Sequence, residues 1–155
     1  MIDTLKSLLT DFDPAAIFPD LSKLFGVMEL ILRICVLAGP LCLLGFGLWY
    51  LLAPAKEANH HVGYRFYWGM SSVEVWQFTQ RLAGLVWTGL GFVMTVVMAI
   101  ICNGYRDMEV EAMLWSALKC LVWDIGLTVA ACLFINVLVV ITFDKDGFRR
   151  ADFRD

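Results

Sequence analysis

The chain reads as an all-α membrane protein, three transmembrane helices preceded by an amphipathic interfacial N-terminal segment. Three observations predict this. Of 155 residues, 60% are apolar and 17% charged, against about 45–50% and about 25% in a soluble domain. Mean hydropathy is +0.73. Three runs carry no charge, Ile34–Ala55, Leu82–Tyr105 and Ile125–Phe143, and each approaches the ~20 residues a helix needs to cross ~30 Å of hydrocarbon. Lipid offers no hydrogen-bond partners, so a spanning segment is a helix or part of a closed barrel. The runs lack a barrel strand's alternation and are about twice as long. A disordered chain and an ordinary soluble enzyme are excluded.

Residues 1–25 precede the spans. Ile2, Leu5, Leu8, Leu9 and Phe12 recur at helical spacing, Asp13-Pro14 breaks the pattern, and Ile17, Phe18, Leu21, Leu24 and Phe25 form a second apolar stripe. Such pieces lie in the headgroup zone or dock on a partner protein, and the sequence does not separate the two. No removable signal peptide is expected.

One membrane domain follows over residues 26–143, with spans at about 27–52, 80–103 and 116–143. Pro54 closes the first. The connection to Ser71 mixes Tyr, Trp, His, Lys and Arg, an interfacial composition. Ser71-Ser72-Val73-Glu74 has the spacing of a capping box, with Ser71 accepting an orphan amide hydrogen and Glu74 reaching back three positions. Asn103-Gly104 stops the second helix, and the third runs from about Leu114 to Phe143. Residues 144–155 form a charged tail.

Orientation follows from Lys and Arg alone. The first loop and tail hold Lys56, Arg65, Arg81, Lys145, Arg149, Arg150 and Arg154, seven residues, against five elsewhere (Lys6, Lys23, Arg33, Arg106 and Lys119). Seven against five places the N-terminus outside and the C-terminus inside.

Polar residues within the spans are the first candidates for function. An ionised Asp124 exposed to lipid costs at least ~2.5 kcal/mol, so it faces protein or is protonated. An Arg33–Asp124 pair with Glu29 as third member satisfies all three groups. That trio reads as a packing ion pair or as a proton or ligand site, the latter making the chain a small transporter. Asn136 reads as an interhelical hydrogen bond or a ligand contact. Gly84-x3-Thr88 and Gly126-x3-Ala130 have the small-x3-small spacing of closely approaching helices, within one chain or in an oligomer.

Enzymatic readings find no support. The five cysteines form no C-x-x-C pair or zinc spacing and read as small buried hydrophobes. His60 and His61 with Glu57 lack a third ligand at useful spacing, so neither metal nor cofactor is expected. Asp144-Lys145-Asp146-Gly147 lacks the alternating acids and terminal Glu of a calcium loop. No nucleophile motif or phosphate-cradling loop is present. A net charge of -3 gives no footprint for nucleic acid. The expected partners are the lipid bilayer and a peptide or another membrane protein.

One segment says more: Asn59-His-His-Val-Gly63-Tyr64-Arg65, then Ser71-Ser72-Val-Glu74-Val-Trp76, then Arg81-Leu-Ala-Gly84. Over about residues 54–92 it resembles the SdpI/YfhL family of bacterial membrane proteins, marked by an Asn, a Gly-Tyr-Arg-Thr element, a Ser-rich cap and a Trp entering a transmembrane helix. Phe66 stands where the family usually has Thr, so no role passes to that hydroxyl. The resemblance implies immunity toward, or sensing of, a membrane-active antimicrobial peptide by direct binding. Arg65, Tyr64 and Trp76 are then expected on the recognition side, with Asn59, Gly63 and Ser71 shaping the loop. An accessory subunit of a larger membrane complex, docked through residues 1–25, is the alternative.

Overall fold

The computed structural model describes residues 21–55 and 63–150, with side chains from Phe25 onward. Three long helices make up the fold: α1 (Leu21–Leu52), α2 (Val73–Asn103) and α3 (Val110–Thr142). All three are long and apolar enough to cross a membrane. At 31 to 33 residues each reaches about 46–50 Å, so their ends extend past the hydrocarbon into the headgroups. The stripe expected to precede the first span is already helical from Leu21 and continuous with it. The rest of the N-terminal segment, Asn59 with both histidines, and residues 151–155 lie outside the described residues.

The tightest contact joins α1 and α2, and small residues make it possible. A Cβ on Gly47 would strike the Thr88 backbone, one on Gly84 would meet Leu51, and one on Gly91 would meet the Leu44 backbone and the Pro40 carbonyl. Between membrane helices, where burial in lipid supplies little drive, such backbone proximity provides the dispersion contact that holds them. Pro40 sits inside α1, buried at this seam, where a neighbouring helix accommodates the break in its hydrogen-bond ladder. Of the two small-x3-small motifs, the one at Gly84 and Thr88 is used between the described helices, whereas a Cβ on Gly126 would meet nothing within 4 Å among the described residues.

Two packed clusters lie at opposite ends of the bundle. One gathers Val36, Met94, Met98, Cys102, Tyr105, Met113, Ala117 and Cys120. The other gathers Val75, Val139 and Phe143, with Phe66, Phe78 and Leu82 against them. Between α2 and α3 the chain makes a short 3-10 turn, Gly104–Asp107. At the far end another 3-10 turn, Trp68–Met70, leads into α2.

That entry differs from the expected capping box. Ser72, not Ser71, is the N-cap, its Oγ accepting from the Val75 amide at 3.3 Å. Ser71 donates instead to the Trp68 carbonyl at 2.9 Å. Glu74 is therefore one position too early to reach back, and its carboxylate meets Arg149 at 3.4 Å. The tail explains the change, because it folds over this helix end. Asp144 Oδ1 accepts from the Asp146 and Phe148 amides at 3.0 and 2.8 Å, an Asx turn. Gly147, at φ 87°, takes the left-handed conformation at its corner, where a Cβ would also strike Ser72.

Candidate functional site: a strap across two helices

Residues 63–68 run across α2 and α3 as a strap, and one side chain fixes its position. Gln80, fully buried on α2, accepts from the Tyr64 amide through Oε1 and donates to the Tyr64 carbonyl through Nε2, each at 2.8 Å. The side-chain amide thus satisfies both backbone groups of one residue, as a neighbouring strand would. Inside or beside a bilayer this matters more than in water, since an unpaired backbone group there costs several kcal/mol.

Three further contacts complete the clamp. The Tyr64 hydroxyl donates to Asn136 Oδ1 at 2.8 Å, with the Cys132 carbonyl at 3.2 Å as a second acceptor. Its ring meets Trp87 edge-on at 5.4 Å, and Trp87 also packs on Tyr50 at 5.6 Å. Trp76 donates from Nε1 to the Ala55 carbonyl at 2.8 Å, tying the end of α1 to the start of α2. Burial holds the Tyr64 phenol above the usual tyrosine range, so at neutral pH it remains a neutral donor.

Gly63 makes the entry to the strap. Its φ of 119° is a conformation that residues with a Cβ rarely adopt. A Cβ there would also press on the Trp76 ring and on Gln80 Oε1. Beyond Gly63 the side chains alternate. Tyr64 and Phe66 turn inward, while Arg65 and Tyr67 turn out, Tyr67 being 84% exposed.

The strap redistributes the roles expected from sequence. Tyr64 and Trp76 are fasteners; Trp76 is fully buried. Arg65 is exposed. Ser71 is exposed and belongs to the α2 entry. Asn136 is engaged by the strap, its Oδ1 accepting from the Tyr64 hydroxyl. Gln80, Trp87 and Tyr67 carried no motif signal; the only hint of Gln80 was an uncharged amide four residues after Trp76.

A family model for the SdpI/YfhL protein family matches residues 56–143, more than half of the chain. The chain belongs to the SdpI/YfhL family. No curated protein and no solved structure matches it significantly. The matched stretch begins just before the strap and ends at Phe143, so in this family member it contains the strap, both helices that hold it and the residue against which the tail packs.

The intramembrane trio does not assemble. Arg33 donates to Glu29 Oε1 from Nε at 2.9 Å and from Nη2 at 2.6 Å, one helical turn away. Asp124 lies against Gly39, whose missing side chain makes room for the carboxylate. Gly39 is six residues from Arg33, about 9 Å along α1, which puts the guanidinium out of register. Asp124 Oδ1 is buried without a hydrogen-bond partner among the described residues.

Proposed function

We propose that this SdpI/YfhL family member binds a membrane-active antimicrobial peptide directly and confers immunity to it or senses it, without catalysis. The observation that carries the reading is the outward pair Arg65 and Tyr67 on a strap whose backbone is already fastened. A guanidinium beside a phenol offers carboxylate or carbonyl recognition together with amphipathic contact area. Because Gln80, Asn136 and Gly63 fix the strap beforehand, little ordering entropy is lost when a peptide docks. With the N-terminus outside, the strap meets peptide that has already entered the inner leaflet.

The test is protection of a bacteriocin-sensitive bacterial host expressing the chain. Wild type is expected to raise the tolerated concentration of a secreted membrane-active peptide, and Arg65→Ala to remove that protection at unchanged membrane abundance. Protection that survives Arg65→Ala and Tyr67→Ala together, or no protection against any peptide of a bacteriocin panel, contradicts the proposal. Transport through Glu29, Arg33 and Asp124 is not supported by their separation.

A further inference from the structure

At the bundle end remote from the strap, the interior is rich in sulfur. Met94, Met98 and Cys102 recur every fourth residue along α2, which stacks them on one face at about 6 Å per step. Met113 and Cys120 enter the same cluster from α3. These five residues are 2% to 6% exposed, and Met28 of α1 packs against them. Cys102 and Cys120 are free thiols in this one packed cluster. Two of the chain's five cysteines and four of its seven methionines thus converge from three helices.

We propose that this cluster binds a soft monovalent metal ion, copper(I) in physiological chemistry, through the sulfurs of Cys102 and Cys120 with thioether support from Met98. Thiolate and thioether ligands select copper(I), and the oxygen that the packed cluster contributes is the Tyr105 phenol, a poor ligand for ions that prefer carboxylate or carbonyl oxygen. Charge allows this ion. One thiol exchanges its proton for the metal, so that a cysteine and M⁺ become a metal thiolate and H⁺, and the site stays neutral in a low dielectric. Cys102 is the last residue but one of α2, so the ion reaches it from the headgroup end. An apolar groove of about 370 Å³ between α2 and α3, lined by Met94, Met98 and Cys120 among others, gives the sulfurs room to reorient.

The competing account is that the methionines only fill gaps between helices. The two are separated by silver(I), a redox-inert probe of such sites, and by copper(I) held in a bathocuproine buffer, each added to the reduced full chain in detergent. Wild type is expected to take up a stoichiometric ion and melt at a higher temperature. A Cys35→Ser/Cys42→Ser/Cys132→Ser variant should do the same, and Cys102→Ser/Cys120→Ser should lose both effects. If that last variant does not fold, Met94→Leu/Met98→Leu, which conserves volume and both thiols, should surrender copper(I) to the chelator more readily than wild type. No uptake by wild type, or uptake equal in wild type and whichever of these two variants folds, overturns the proposal.

Discussion

Gln80 does with one side chain what a paired strand would do with its backbone, and its replacement shows what the strap depends on. Gln80→Leu keeps the volume but leaves the Tyr64 amide and carbonyl unpaired, at about 1–3 kcal/mol for each group. Thermal unfolding in detergent should register that loss. Gly63→Ala should cost about 1–3 kcal/mol from backbone strain, with further loss because the new Cβ presses on Trp76 and Gln80. Asp124 makes the opposite case. With no ion pair to break among the described residues, Asp124→Asn should change stability by less than about 1 kcal/mol, whereas a loss near the 3–5 kcal/mol typical of a broken buried pair would mean that a partner exists. The reason the trio was expected and not found is register: sequence places Glu29, Arg33 and Asp124 on the right helices, but only the α1–α3 alignment decides that Asp124 meets Gly39.

At the level of elements, the tail and the strap are two coverings of the same end of the bundle. Phe143 is fully buried against Phe78, with ring centroids at 5.3 Å, and Arg150 Nε donates to the Val140 and Phe143 carbonyls at 3.2 and 3.1 Å. The first of these satisfies an orphan carbonyl in the last turn of α3, where a cation also suits the helix dipole. Phe143→Ala should therefore cost about 3–5 kcal/mol, while Arg149→Ala, which removes an exposed pair with Glu74, should cost no more than ~1 kcal/mol. The strap has its own alkaline signature. Burial raises the Tyr64 pKa above its ordinary 10.0, so the strap's contribution is complete below pH 10 and is lost as pH climbs beyond it. A Tyr64→Phe protein should lack that alkaline dependence in the same unfolding measurement. The Ser-Ser-Val-Glu spacing marked the start of α2 correctly to one residue; which serine caps depended on a tail more than seventy residues away.

Across the whole molecule, the three spans were legible because uncharged length and helical hydrogen bonding leave few alternatives in lipid. The strap was half legible. Gly63, Tyr64 and Trp76 stood out as residue types suited to a headgroup turn, but whether the strap binds or fastens depends on contacts of Tyr64 with Gln80, Trp87 and Asn136, 16 to 72 positions away. Lys and Arg placement predicts the topology. Arg106→Cys should react with an impermeant maleimide from outside intact cells, and Lys145→Cys only after permeabilisation; the reverse pattern would invert the proposed orientation. The central claim is that the strap is fastened before any partner arrives. Hydrogen exchange at the Tyr64 amide reads this directly, since that proton lies on Gln80 Oε1. The amide should exchange at least about tenfold more slowly than an open peptide and lose that protection in Gln80→Leu. Exchange at the open-peptide rate in the wild-type protein would contradict the claim.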